Sequence, residues 1–344
     1  MRTIVATAPL RICDCGGWTD TWFAGYGSVF HVAIEPGVRV RIDVTPILGT
    51  PPPVTLDVAS FGDRYAIQPG TQPWVKHPLI EAAIDAVGVP PRAKVSISIE
   101  SAVPPGASTG TSAAVCVALI GALQAAAGIR SDPDAIASAA HAVETRRLGQ
   151  QSGVQDQLAA AHGGINFVDV FDYPRARVHP LGVSHDTRTA LERQMLLVFL
   201  GRTHQSSAVH EAVVRDVSDV GPEHPAIVDL RRAAIRARDG ALDGDLGALG
   251  EAMRANTDAQ RRLHPSLVGS DAARVIAIAE AHGALGWKVN GAGGDGGSVT
   301  VLASPDQASR DAIEDAIEAA ESGYRLIPFR IAATGLQVWD ATRP

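Results

Sequence analysis

The run PPGASTGTSAAVCVAL, Pro104 to Leu119, sets a series of small and hydroxyl residues directly before an apolar segment. Gly106, Ser108, Thr109, Gly110, Thr111 and Ser112 precede a stretch with helical character from about Thr111 to Ala127, with Gly128 as its stop. That stretch is apolar nearly all round, so it is predicted to be buried. The hydroxyl series reads in two ways. It is an N-cap in a flexible turn, or a cradle in which unpaired amides and the positive end of the helix dipole hold phosphate. Hydroxyls of Thr111 and Ser112 could add hydrogen bonds or a magnesium ligand. A Walker A loop is excluded, because its terminal Gly-Lys-Ser/Thr is missing, and Gly106-x-x-x-Gly110 is not a dinucleotide fingerprint.

The residues around this run form two groups. Strands are predicted first, at Thr3–Ala8, Ser28–Ile34, Gly37–Val44 and Lys94–Glu100, with a rigid turn at Gly49–Pro53 and a helix over Lys76–Val87. Asp132 or Ser131 should cap a helix that begins at Pro133 and runs to Arg147, carrying His141 and Glu144. A break at Gly149–Gly153 leads to a short helix from Val154 and a strand from Gly163. Residues 172–190 read as a crossover. Beyond it come a buried strand, Met195–Leu200, and helical periodicity near 206–217, 224–238, 245–262 and 270–282. The chain closes with strands at 287–290 and 298–302, a helix over 305–321 and a final strand pair. This is an α+β pattern rather than βαβ alternation, and it divides into lobes of residues 1–180 and 190–344.

Composition narrows the function classes. At 344 residues, 46% hydrophobic and 19% charged, the chain can bury two cores. Lys and Arg number 30 against 37 Asp and Glu, a net charge of −7 without long runs of one sign, which argues against a nucleic-acid partner. The longest apolar run, Ala113 to Leu123, is far shorter than the roughly 20 residues of a membrane span. The first residues lack a signal peptide's apolar core, and three cysteines do not make a disulfide framework, so a cytoplasmic location is expected. Cys13 and Cys15 read as packing residues, since no second Cys/His pair lies at metal-site spacing.

Two further segments carry chemistry. In APLRICDCGGWTDT, Ala8 to Thr21, a strand bearing Arg11 runs into a double glycine and then Trp18, Thr19 and Asp20. Arg11 suits phosphate charge and Asp20 suits sugar hydroxyls, although an Asp-centred turn is the plainer reading. In WKVNGAGGDGGS, Trp287 to Ser298, five glycines fall within seven positions from Gly291, which permits close backbone approach or a tight hairpin.

Together and in this order, the three segments resemble the signature motifs of the GHMP kinases, the family of galactokinase, homoserine kinase, mevalonate kinase and phosphomevalonate kinase. AlaProLeuArg with GlyGlyTrpThrAsp matches the first motif. Pro104–Ala113 matches the phosphate loop Pro-x-x-x-Gly-Leu-Gly-Ser-Ser-Ala, and Lys288–Gly296 the third motif. Gly17 and Trp18 stand where galactokinases carry Glu and His. The run Gln155–Phe167 and the segment Gly201–Ser207 resemble the branch of D-glycero-D-manno-heptose 7-phosphate kinases and L-fucokinases. Ser108 and Thr109 replace the loop's Gly-Leu, and Asp295 replaces a glycine of the third motif.

The resemblance implies a two-lobed α+β fold with ATP and a sugar or sugar phosphate in a cleft between the lobes. It assigns the loop residues Pro105, Gly106, Ala107, Ser108, Thr109, Gly110, Thr111 and Ser112 to nucleotide, and Ser112 with Glu144 to Mg2+. Asp156 is then the catalytic carboxylate and Arg11 its partner on the transferring phosphoryl group. Trp18, Thr19, Asp20, Gly291 and Gly293 would face the sugar. A distal phosphate would need cations, for which Arg202, His204 and Lys288 are candidates. Each of these assignments has a plainer counterpart. Glu144 could pair with Arg146 or Arg147 at helical spacing, Asp156 could serve the helix dipole, and the three cations could be solvated or structural. The implied activity is phosphorylation of an anomeric hydroxyl. Heptose 7-phosphate is the first candidate substrate and an unphosphorylated fucose-, galactose- or arabinose-like sugar the second. A non-catalytic binder of the same fold is the rival class, and homo-oligomerisation stays open.

Overall fold

The computed structural model describes residues 1–202, 211, 213–215, 217, 220–320 and 323–342. Two long strands form its frame. β1 (Arg2–Cys15) pairs antiparallel with β2 (Gly27–Pro46), whose 20 residues absorb both strands predicted between 28 and 44. β3 (Val54–Val58), β4 (Asp63–Ile67) and β5 (Ala93–Ser101) extend one side of this pair. β6 (Ile165–Asp172) pairs with β2 and with β7 (Arg175–Pro180). The second sheet has four strands: β8 (Met195–Phe199), β9 (Gly286–Val289), β10 (Ser298–Leu302) and β11 (Arg325–Leu326). The last strands, β12 (Arg330–Ile331) and β13 (Gln337–Asp340), return to pair with β2 and β1. Among the described residues, the nine-stranded first sheet is therefore completed by β12 and β13. The final strand pair, expected within a second lobe of residues 190–344, belongs to the first sheet.

Helix Thr111–Ala126 follows its prediction closely. Residues on every side of it are buried, Ala114, Cys116, Val117 and Leu119 among them, and it packs against β1 and β2. Helix Pro133–Ala142 is capped by the Asp132 side chain, which accepts from Ala135 N at 2.7 Å. It does not run to Arg147 as a regular helix. Residues Val143–Arg147 form a π-helical turn, and Glu144 lies within it. Such turns change which side chains point inward at sites where that matters. The expected crossover at 172–190 instead contains β7 and the start of helix His185–Gln194. Most of the helical stretch expected at 206–217 lies outside the described residues. Helices Pro225–Asp243 and Leu246–Leu263 form a pair against β1, β2 and β9. A separate core joins the second sheet to helices Ser270–Ala281 and Gln307–Glu318 through Val198, Val275, Val299 and Ile313. Among the described residues, no helix is long and apolar enough to cross a membrane. The three cysteines are free and buried.

Candidate active site

The backbone shows how the helix after the glycine- and hydroxyl-rich run begins. Gly110 is the N-cap of helix Thr111–Ala126, in a left-handed conformation (φ 72°), and no side chain caps the helix. The expectation that the hydroxyl series caps it is thus corrected: Thr109 Oγ1 and Thr111 Oγ1 meet each other at 3.2 Å instead. The first-turn amides of Thr111, Ser112 and Ala113 have no intrahelical acceptor. All three residues line a cavity of about 350 Å³. A Cβ at Gly110 would sit 3.4 Å from both Arg11 and Asp156, so the loop passes directly over that pair. Ser108 holds φ 56°, a conformation suited to the glycine the family places there, and its Oγ is buried without a hydrogen-bond partner.

Arg11, 4% exposed, reaches from β1 to Asp156 in the first turn of helix Gln155–His162. Its Nε donates to Asp156 Oδ1 at 2.8 Å and its Nη2 to Oδ2 at 3.0 Å, a bidentate pair, while Nη1 donates to the Ser108 carbonyl. Burial works against the guanidinium charge. Asp156, Asp14 and Asp20 outweigh it and hold Arg11 above its ordinary value. Gln155 Nε2 also donates to Asp156 Oδ1, so Oδ2 is the oxygen with the lighter hydrogen-bond load.

Asp20 is buried and also lines the cavity, with its Oδ2 accepting from the backbone N–H groups of Val154 (2.9 Å) and Gln155 (3.0 Å). A Cβ at Gly153 would lie 2.1 Å from that oxygen, which is why glycine stands there. Burial, with a contribution from Asp156, pushes Asp20 up to about 6 against the opposing pull of those amides. Glu144 is buried rather than paired with Arg146 or Arg147; Arg147 engages Asp85 instead. Its Oε2 accepts from Ser152 Oγ at 2.6 Å and Gln157 Nε2 at 2.9 Å, and its Oε1 is buried without a partner. Burial raises Glu144 to about 7.

Of the residues singled out from sequence, the cavity wall also contains Trp18, Gly106, Ser108, Thr109, Ser112 and Gly291. Six described ones lie outside its lining. Thr19 is fully buried and binds its own turn, its Oγ1 donating to Gly16 O at 2.7 Å. Ala107 is buried, its carbonyl accepting from Ser298 Oγ at 2.6 Å. Pro105 belongs to the turn before the loop, and Gly293 is backed by the Leu267 carbonyl. Arg202 is 74% exposed, with its Nε 3.8 Å from Asp271 Oδ2. Lys288 is not a free cation either: it is fully buried and its Nζ lies 3.2 Å from Asp14 Oδ1. His204 lies outside the described residues.

Sequence reading did not single out Asp14, Gln150, Gln151, Ser152 or Gln157. Asp14 carried a usable signal, since an acidic residue inside a buried strand needs a buried partner. It ties the third motif to β1, accepting from Lys288 Nζ and from Gly291 N at 3.0 Å. Asn290 Oδ1 adds a second tie by accepting from Cys13 N at 3.1 Å.

The arrangement can do three things chemically: present free amides to an anion, hold a carboxylate beside a guanidinium, and offer an unpartnered carboxylate oxygen to a cation. Residues 77–164 match the GHMP kinases N terminal domain and residues 232–323 the GHMP kinases C terminal domain. A Campylobacter jejuni D-glycero-alpha-D-manno-heptose 7-phosphate kinase is 26% identical over 201 residues, covering 58% of this chain and 59% of that protein. The chain thus spans somewhat over half the length of that relative. A Thermococcus sibiricus mevalonate kinase is 32% identical over 256 residues, covering 72% of this chain and 69% of its own. The crystal structure of a D-glycero-D-manno-heptose 1-phosphate kinase from Bacteriodes thetaiotaomicron superposes with a TM-score of 0.76 at 19% identity, over 98% of both chains. With both domains matched in order and the three motifs meeting at one cavity, the chain belongs to the GHMP kinase family.

Proposed function

We propose that this protein transfers the γ-phosphoryl group of ATP to the anomeric hydroxyl of a sugar, with D-glycero-D-manno-heptose 7-phosphate as the first candidate acceptor. The observation that carries the reading is the Arg11–Asp156 pair lying directly beneath the phosphate loop, in a cavity that also contains Glu144 and Asp20. In this reading the loop amides from Gly110 to Ala113 bind nucleotide phosphate, helped by the helix dipole. Asp156 Oδ2 takes the acceptor's hydroxyl proton as that oxygen bonds to the γ-phosphorus and the bond from phosphorus to the ADP oxygen breaks. Arg11 orients Asp156 through two bonds and brings positive charge beside the transferring group.

The residues present fit Mg2+. Glu144 Oε1 is a buried oxygen without a donor, and Ser112 lines the same cavity. Among the described residues no group of three His, Cys, Asp or Glu side chains gathers to hold a metal. Ser112 and Glu144 would therefore share the ion with nucleotide phosphates and water, as suits a hard cation. When bound, it would neutralise charge on the phosphates during transfer.

A second reading, an unphosphorylated acceptor, is favoured by the lining itself. Asp20, Gln150 and Gln151 offer carboxylate and amide groups suited to sugar hydroxyls, whereas Arg11, the one Lys, Arg or His among the described lining residues, is already engaged by Asp156. ADP release with ATP and Mg2+ across heptose 7-phosphate, mannose, fucose, galactose and arabinose separates the two. Turnover of the heptose phosphate alone, lost in Asp156→Asn, supports the first reading. Turnover of a free sugar alone supports the second. Tight sugar or ATP binding without any turnover overturns both in favour of a non-catalytic binder.

A further inference from the structure

We infer that Ser152 and Gln157 are positioning residues that clamp one carboxylate oxygen of Glu144 and so leave the other free for the cation. The inference rests on the reading of Glu144 as a metal ligand. Glu144 Oε2 accepts from Ser152 Oγ at 2.6 Å and from Gln157 Nε2 at 2.9 Å. The Gln157 amide also donates to Ser152 Oγ at 3.3 Å, so the three side chains close a small ring. The serine has one proton and two acceptors in reach, Glu144 Oε2 and its neighbour Gly153 O at 3.0 Å. A carboxylate at the shorter distance is the stronger acceptor, so the proton goes to Glu144.

Ser152 is itself held from behind. Its carbonyl accepts from Tyr173 Oη at 2.9 Å, which commits the tyrosine proton. Tyr173 Oη lies 2.9 Å from His141 Nε2, so the ring must be the donor there, with its proton on Nε2. His141 precedes Glu144 by three residues, at the end of helix Pro133–Ala142 where the π-helical turn begins. The same segment therefore grips Ser152 twice, at its backbone through Tyr173 and at its hydroxyl through Glu144. With Oε2 doubly occupied, the Glu144 carboxylate cannot rotate freely, and the unpartnered Oε1 keeps one direction. Groups that fix a ligand's orientation in this way commonly account for 10- to 100-fold in metal affinity.

The test uses the full chain with ADP and Mn2+ as the probe cation, following free Mn2+ by electron paramagnetic resonance. Ser152→Ala should weaken Mn2+ binding about 10- to 100-fold. Ser152→Thr, which keeps the hydroxyl, should stay within about threefold of wild type. ADP binding without divalent cation should not change, which a merely structural defect would not spare. In turnover, the loss should fall on the Mg2+ concentration for half-maximal rate more than on kcat. Should Ser152→Ala fail to fold, Gln157→Leu carries the same expectation. Wild-type Mn2+ affinity in Ser152→Ala, with affinity lost in Glu144→Gln, overturns the clamp and leaves the ligand reading standing. Wild-type affinity in Glu144→Gln overturns both.

Discussion

Replacing Lys288 by methionine isolates the charge that joins the third motif to β1. The Lys288 ammonium is fully buried, 3.2 Å from an Asp14 carboxylate that is 1% exposed. Methionine keeps most of the apolar stem and removes the charge together with the bonds it donates to Asp14 and the Val289 carbonyl, the latter still accepting from Gln260. Asp14 would keep the Gly291 amide and the nearby Arg11 but lose its direct counter-ion. Removing one partner of a buried pair costs about 3–5 kcal/mol, and Asp14→Leu, which strands Lys288, should cost a similar amount. The double variant Lys288→Met with Asp14→Leu has no stranded charge. Its remaining cost is the Gly291 N–H left without an acceptor, about 1–3 kcal/mol. The double variant should therefore be more stable than either single one. Urea unfolding followed by circular dichroism and Trp fluorescence at constant m-value measures all three. The pH dependence gives an independent sign. Burial works to raise the Asp14 carboxyl, but Lys288, Arg11 and the Gly291 amide together hold it below its ordinary value. That stability is present above the unfolded carboxylate value and is lost as pH falls through the lower folded one. In Lys288→Met the acid limb of the stability curve should move to higher pH. A Lys288→Met protein within about 1 kcal/mol of wild type, or a double variant as unstable as the two singles added together, would refute the reasoning.

Three further outcomes are expected. Arg11→Lys cannot reproduce two bonds to two carboxylate oxygens, so ADP release should fall by at least about tenfold with the fold retained, and equal rates would remove Arg11 from the chemistry. Asp20 sits at about 6 in the folded protein, against an ordinary value near 4, so its stabilising contribution is present at low pH and lost as pH rises through about 6. Asp20→Asn keeps an oxygen for the Val154 and Gln155 amides, and melting curves should show it gaining up to about 3 kcal/mol over wild type above pH 6; an unchanged pH slope would point to another group. Ser108→Gly removes both a left-handed serine and a buried unpartnered hydroxyl, and should stabilise by about 1 kcal/mol in urea unfolding, whereas a less stable variant would contradict the strain argument.

The parts of the fold that were legible in sequence are those where local pattern and final environment agree. Helix Thr111–Ala126 is apolar on all sides because it is buried on all sides, and its start is marked by glycine and hydroxyl residues. The Asp132 cap needed only the Asp-Pro pair. β3 and β4 were not legible, being short and lying beside a proline-rich stretch. Nor was the π-helical turn, because helical periodicity continues past Ala142 while the backbone gains one residue per turn. Hydroxyls before a helix suggested a cap, and the structure shows Gly110 as the N-cap with no side chain capping the helix.

The site divides in the same way, according to how far apart the partners lie. Arg11, Ser112 and Asp156 could be nominated because each stands in a recognisable run of its own, and Glu144 because the resemblance calls for a glutamate on a later helix. The groups that hold them could not, because their identities are ordinary and only their partners make them special. Asp14 and Lys288 are 274 residues apart, and each reads alone as an awkward charge in a buried strand. Their pairing resolves both awkward charges at once and fixes where Gly291 meets the phosphate loop. The C-terminal strands follow the same logic: β13 covers Ile4–Thr7 of β1, and β12 covers Ile34 and Glu35 of β2. The strand that delivers Arg11 is thus paired along its outer edge by residues more than 300 positions away. The Arg11–Asp156 pair accordingly depends on a motif near 290 and on a strand near 340 that is remote from it in sequence. In physical terms, substitutions in β13 should act on the site through the placement of β1, which local sequence has no means of recording.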